Sequence, residues 1–460
     1  MTSFASGSTM PWPLSSSIRE GARWVLTIAA AFGAVAAFPG CERPVPAASI
    51  REHLAALERP NLVLIVVDTL RADWMTPYGY SESTSPELAR WAARGVVFEQ
   101  VLSQSSWTKI SMASLMTSMW PRSHGIREPN DGLADTALTL AEVLRQAGYR
   151  TYGVQTNGWL DQSFGFQQGF DRYVFPGGKG APLPKPTIWP HADRVYEEAV
   201  RMIDAHSGEE PFFLYLHFMD VHEYAAPPEF KDFGTTAKGD YLAAIRWIDD
   251  AVRRVREKLE DGGQLARTVM VFASDHGETF GENGRHGHAR NVLTAVLSVP
   301  LLMRLPFAVE PLRVSAQVRN LDIGPTLLEL AGVEPPPSFE GRSLLPLLGV
   351  ETERANRESY AGLGFPLYRD ASVQISLSDG SWTYARNVEP DPNHDEFLFD
   401  RTVDPGENVN VIELEPAQAA VMRGILDAHM EGKPASDIRQ TDVRIDPSIA
   451  RRLRAMGYLQ

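Results

Sequence analysis

Three apolar runs are each followed directly by groups that could bind a metal ion or move a proton. Residues 61–67 read Asn-Leu-Val-Leu-Ile-Val-Val and lead into Asp68-Thr69. Residues 212–218 read Phe-Phe-Leu-Tyr-Leu-His-Phe and lead to Asp220 and His222. Residues 268–273 read Thr-Val-Met-Val-Phe-Ala and lead into Ser274-Asp275-His276-Gly277. Continuous apolar runs of this length suit strands buried on both faces of a parallel sheet. Ligands of open α/β sheets gather at the carboxyl ends of the strands. A single such acid or imidazole would most simply cap a helix or meet solvent. Three strand ends together predict one polar rim, whose oxygen and nitrogen donors suit a divalent cation.

Helical spacing over 86–95, 111–120, 138–147, 193–206 and 241–260 supplies the layers around these strands, and 152–155 reads as a further strand. Such alternation predicts an α/β fold, a mostly parallel sheet sandwiched by helices. A helix over 322–332 precedes Pro335-Pro336-Pro337 and Gly341, where the character of the chain changes. Shorter strands over 372–376, 381–386 and 396–399, then a helix over 416–430, predict a small α+β subdomain. The expected division is a large catalytic unit over 60–350 and this subdomain over 351–460. The segment 175–190 is rich in glycine and proline and reads as a loop.

With 58 acidic against 44 basic residues, the formal charge of -14 repels nucleic acid phosphates and excludes DNA or RNA as the expected partner. The chain has one cysteine, Cys41, so an internal disulfide and a cysteine-built zinc site are both excluded. Residues 24–38 are uncharged and largely apolar, with Arg19 and Arg23 just upstream. Residues 1–41 therefore read as a signal peptide or membrane anchor. Phe38-Pro39-Gly40-Cys41 resembles a bacterial lipoprotein cleavage box, which would lipidate Cys41. Residues 42–59 read as a tether. The expected location is the bacterial periplasm or cell envelope, with the N-terminus held at the membrane.

The strand ends also carry a family resemblance. Residues 61–73, 103–117, 121–125, 212–222, 274–278 and 322–332 resemble, in order, the motifs of the sulfatase family of the alkaline phosphatase superfamily. Residues 398–400 and 404–407 are similar to its small C-terminal domain. The resemblance implies an alkaline phosphatase-like fold and metal-dependent cleavage of sulfate or phosphate esters. By it, Asp68, Asp275 and His276 match metal ligands, and Thr69 stands where the family often has a second Asp. Thr108 falls where sulfatases place the cysteine or serine that becomes formylglycine. His222 matches a histidine near the leaving group. His288, thirteen residues after Asp275, matches a group that touches the ester oxygens. Lys109 and Asn157 are further candidates for substrate contact.

The run Thr108-Lys109-Ile110-Ser111-Met112 departs from the sulfatase signature, lacking its cysteine or serine, its proline and its arginine. What remains is a threonine hydroxyl beside a metal, as in superfamily members that use an unmodified threonine. The expected mechanism has one divalent ion on Asp68, Asp275 and His276, completed by Thr108. A histidine ligand favours zinc or manganese, with calcium or magnesium as oxygen-preferring alternatives. Thr108 is then the nucleophile and His222 the proton donor to the leaving alcohol. The substrate is an anionic ester, on a glycan or a lipid. Two other functions compete: transfer of a phospho-substituent to an envelope glycan or lipid, and a catalytically inactive lipid-anchored binding protein.

Overall fold

The computed structural model describes residues 43–176, 192–349, 356–365, 367–368, 371–388, 396–432, 438 and 440–455. The expected signal or anchor over 1–41 lies outside the described residues, as do Cys41 and most of the loop 175–190.

An eight-stranded sheet forms the centre. Its strands are β1 (Asn61–Val67), β2 (Val96–Leu102), β3 (Arg150–Val154), β4 (Arg172–Val174), β5 (Phe212–Phe218), β6 (Thr268–Ser274), β7 (Leu301–Arg304) and β8 (Leu312–Arg319). They lie in the order β8-β2-β7-β6-β1-β5-β3-β4. Only β7 runs against its neighbours β2 and β6 among these pairings. The fold is therefore the expected mostly parallel α/β sandwich, with a separate small antiparallel sheet near the C-terminus. β1, β5 and β6 are buried at every residue, which is why each reads as an unbroken apolar run.

Alternate residues of these strands feed two cores. Val63, Ile65, Val67, Leu214 and Leu216 pack under α1 (Pro86–Ala92), α4 (Ala192–Ala205) and α5 (Ala237–Asp261). Leu62, Leu64, Val66, Phe213 and Tyr215 face α2 (Thr108–Thr117), α3 (Leu140–Gln146) and α6 (Ile323–Leu330). Capping defines some helix starts: Thr139 and Glu142 form a reciprocal capping box on α3.

Sequence reading missed β2, β4, β7 and β8, and placed the start of α2 at 111. α2 begins at Thr108 instead, and all ten of its residues are buried.

The small sheet pairs Ser359–Leu363, Gln374–Ser378, Trp382–Asn387 and Glu396–Asp400, all antiparallel. α7 (Pro416–Glu431) covers it through Ala419, Met422 and Leu426. The chain then returns to the large unit. Thr441–Asp442 pairs with Asp131–Gly132. α8 (Pro447–Ala455) sends Ile449 and Leu453 into the α2-side core.

Candidate active site

The site grows from the carboxyl ends of three adjacent strands. Val67 of β1 pairs with Phe218 of β5 on one side and Ser274 of β6 on the other. The residues that follow, Asp68 and Asp275, thus emerge side by side. Both are fully buried. Thr69 adopts a left-handed conformation, φ 60°, which a β-branched residue rarely takes. Its N–H donates to Asp275 Oδ1 at 3.2 Å, tying the two carboxylate-bearing turns together.

Thr108 arrives from the other side as the first residue of α2. Its Oγ1 lies 3.4 Å from Asp68 Oδ2, 3.5 Å from Asp68 Oδ1 and 3.2 Å from His276 Nε2. Asn157, past the end of β3, donates from Nδ2 to Asp68 Oδ2 at 2.7 Å and lies 3.5 Å from Thr108 Oγ1. His276 directs Nδ1 at Gly277 O (3.0 Å), which leaves the Nε2 lone pair facing Thr108 and the carboxylates. That nitrogen is 3.3 Å from Asp275 Oδ2.

His217 joins this cluster against expectation. The sequence reading placed it as a packed strand residue. Instead its Nε2 is 3.6 Å from Asp68 Oδ2. Among the described residues its fully buried ring has no hydrogen-bond partner at either nitrogen, and Asp275 Oδ2 has none either. Buried polar atoms left this way are costly and call for an explanation. Asp68, His217 and Asp275 can each turn one ligand atom to within 4.8 Å of the others. A divalent cation would satisfy Asp275 Oδ2 and one ring nitrogen of His217, and Thr108 and His276 border the same space. The residues therefore fit a metal.

The electrostatics agree. In the metal-free protein, burial pushes the Asp275 carboxyl up to about 7. Burial also pushes His276 and His217 down to about 4, so both are neutral at physiological pH and carry a lone pair to share.

His222 and His288 line the outer side, with ring centroids 4.9 Å apart. His288 is also 4.8 Å from the His276 ring, and its Nδ1 meets Glu278 Oε2 at 3.2 Å. Burial acts to lower the His222 pKa. The Glu223 hydrogen bond and the charges of Asp68, Glu223 and Glu278 outweigh it and raise the pKa to about 9.

Two expectations change. Lys109, expected to contact substrate, is fully buried. Its amine donates to Pro129 O at 2.7 Å and lies 3.7 Å from the Phe164 ring centre. α2 is buried all round, so Lys109 has no path to solvent, and burial holds its pKa well below the ordinary lysine value. The native state then binds fewer protons than the unfolded chain, and stability should rise with pH up to about 10.4, the unfolded lysine pKa. Lys109→Met is expected to keep or raise the melting temperature and to flatten that rise; a steep loss of stability would mean the buried amine is needed for its contacts with Pro129 and Phe164. Asp220, read as a rim carboxylate, accepts instead from Ala192 N and Trp247 Nε1 and holds α4 and α5 in place.

The strand period places His217 on a face of β5 but does not say which group it meets there. Residues 213, 215 and 217 share one face of β5, the face that meets α2.

Comparison with known proteins decides the family. The sulfatase family model matches residues 60–333, more than half of the chain. The chain belongs to the sulfatase family. A model of the N-sulphoglucosamine sulphohydrolase C-terminal region matches residues 281–432. Human N-acetylgalactosamine-6-sulfatase is 28% identical over 349 residues, covering 64% of this chain and 66% of the human one. The N-acetylgalactosamine-6-O-sulfatase of Bacteroides thetaiotaomicron is 23% identical and covers 86% of this chain and 97% of its own. Among solved structures, a protein bound to its substrate D-glucosamine-2-N,6-O-disulfate aligns with a TM-score of 0.69 at 18% identity, over 83% of this chain and all of the other. A phosphonate monoester hydrolase of Agrobacterium radiobacter aligns at 0.67 and 17%, over 81% and 95%. These structural likenesses establish the fold of this sulfatase-family chain.

Proposed function

We propose that this chain is a metal-dependent hydrolase of sulfate or phosphate esters, with Thr108 as its nucleophile and a substituted sugar as its substrate. The observation that carries the reading is the buried Thr108 hydroxyl, set among Asp68, His276 and Asn157 at one rim of the sheet. Asp68, Asp275 and His276, with His217 from inside β5, would hold the divalent ion, with zinc or manganese favoured by the nitrogen donors. Such an ion lowers the pKa of a hydroxyl beside it and neutralises charge on the ester oxygens.

The residues of the chain divide the remaining work. Thr108 Oγ, its proton released to solvent, bonds to the sulfur or phosphorus as the alcohol oxygen departs in line. Asn157 keeps Asp68 turned toward that hydroxyl. His222, protonated at neutral pH, supplies the proton the departing alcohol needs. His288, braced by Glu278, faces the space where the ester oxygens would lie. Water then attacks the Thr108 ester and frees the acid. A threonine carries a methyl on Cβ and cannot be oxidised to the aldehyde of formylglycine, so the acid cannot leave by elimination from an aldehyde hydrate and must be displaced from Thr108. The sugar is proposed because relatives are sulfatases of N-acetylgalactosamine and one fold neighbour binds a sulfated glucosamine. We further assign the catalytic unit to 60–350, the appended subdomain to 351–460, and a membrane-tethered, exported location to the protein through residues 1–41. No helix among the described residues is long and apolar enough to cross a membrane.

Purified protein assayed on aryl sulfate, phosphate monoester and phosphodiester is expected to turn over at least one of them. Chelation should abolish that turnover, and zinc or manganese should restore it. Turnover unaffected by exhaustive chelation would sink the metal role, and inertness on every sulfated and phosphorylated ester tried would favour a binding protein.

A further inference from the structure

We infer that Tyr241, a residue of α5 with no place in the reaction itself, is a positioning residue that sets metal affinity by holding the Asp68–Thr69 turn in its left-handed shape. This inference rests on the divalent site proposed above.

The turn after β1 is unusual in two ways. Thr69 has φ 60°, a conformation that crowds a β-branched side chain. Yet this residue's N–H must point at Asp275 Oδ1, because that contact couples the two carboxylate turns. Left to itself, a threonine would relax toward the extended region and swing the N–H away. Three contacts oppose that relaxation. Thr69 Oγ1 donates to Asp68 O at 2.7 Å, and Leu70 N donates to Ser274 Oγ at 3.0 Å. The third is the Tyr241 hydroxyl, which donates to Thr69 O at 2.7 Å and accepts from Arg71 N at 3.0 Å. One oxygen thus grips the backbone on both sides of Leu70 and fixes the peptide planes that flank it.

Tyr241 is itself immobile. It is fully buried, one turn into the 25-residue helix α5, whose start is capped by Thr236. Trp74, Phe280 and Tyr224 enclose its ring at centroid distances of 5.0, 5.0 and 5.5 Å. A hydroxyl delivered by so fixed a ring is a rigid strut between the helix layer and the metal-side rim. Groups that orient metal ligands without touching the ion commonly change affinity by about 10–100-fold when removed.

The test is a double-mutant cycle read by zinc affinity, measured by competition with a chromogenic chelator. Tyr241→Phe removes the hydroxyl and keeps the ring. Thr69→Gly removes the steric cost of the left-handed turn, since glycine adopts it freely. Tyr241→Phe is expected to weaken zinc binding about tenfold or more in the native background but less than about threefold in the Thr69→Gly background. Equal losses in both backgrounds would mean the hydroxyl acts through packing, not through the turn, and no loss in the native background would refute the strut outright. If Tyr241→Phe alone fails to fold, the double variant must fold and bind zinc within about threefold of Thr69→Gly, and its failure overturns the inference. A native protein that binds no divalent metal brings down the proposed function and this inference with it. A native protein that binds zinc, with a Tyr241→Phe variant that binds equally well, brings down this inference alone.

Discussion

Thr108→Ala is expected to lower kcat/KM on the best ester substrate by at least about 10⁴-fold, since loss of a covalent nucleophile from an otherwise intact site can cost about 10⁶-fold. Metal affinity should fall far less, because Asp68, Asp275, His276 and His217 all remain. Thr108→Ser keeps the hydroxyl and should retain activity within about 100-fold of the native protein. The geometry makes this a sharp test, because the rival hydroxyls nearby are already committed. Ser106 Oγ donates to Asn291 O at 2.5 Å, and Ser111 Oγ donates to Asp275 O at 2.6 Å. Ser105 Oγ receives the Trp107 N–H at 3.3 Å. None can take over the attack without breaking the loop that presents Thr108. If Thr108→Ala kept more than about a tenth of the native rate, the covalent route would be excluded, and water would have to be the direct nucleophile.

Asp322→Ala is expected to destabilise the fold by about 3–5 kcal/mol, the cost of leaving buried cations without their counter-charge. Asp322 is fully buried at the start of α6. Arg319 reaches its Oδ1 at 2.7 Å, and Arg357, just ahead of the small sheet, reaches its Oδ2 at 3.0 Å. The backbone N–H of Arg342 adds a contact of 2.8 Å. Burial acts to raise the Asp322 pKa, but the two guanidinium groups outweigh it and hold the carboxyl below the usual aspartate range. The stability this confers is complete above the unfolded aspartate value, about 3.9, and is lost as pH falls through the lower folded value. Chemical denaturation at neutral pH reads the loss directly, and acid titration should show the variant less sensitive to low pH than the native protein. A cost under about 1 kcal/mol would mean the guanidinium groups find other partners or water.

The parts of the fold legible in the sequence are those for which burial alone sets the pattern. β1, β5 and β6 lie at the middle of the sheet with both faces covered, so their apolar runs announce them. β2 exposes Glu99, and β8 is an edge strand with a bulge between Val314 and Gln317. β7 is only four residues long. None of these three has a pattern that periodicity can recognise. The same divide runs through the site. Asp68, Asp275 and His276 follow legible strands and were readable as a rim. His217 was not, because its meeting with Asp68 depends on the Val66–His217 register between two strands about 150 residues apart in the chain. Lys109 was misplaced because a helix buried on every side is set by its surroundings, and its own sequence, lysine included, gives no sign of it.

The return of α8 to the α2-side core has a consequence for how the protein comes into being. Leu62 and Leu453 belong to the same packed cluster, and Thr441–Asp442 closes a pairing with Asp131–Gly132. A core that joins residues so far apart in sequence cannot be completed until the later ones have been synthesised. Domains usually fold as units during synthesis, N-terminal parts first. Here the layer that carries Thr108 cannot finish packing until Ile449 and Leu453 have been made and have reached it.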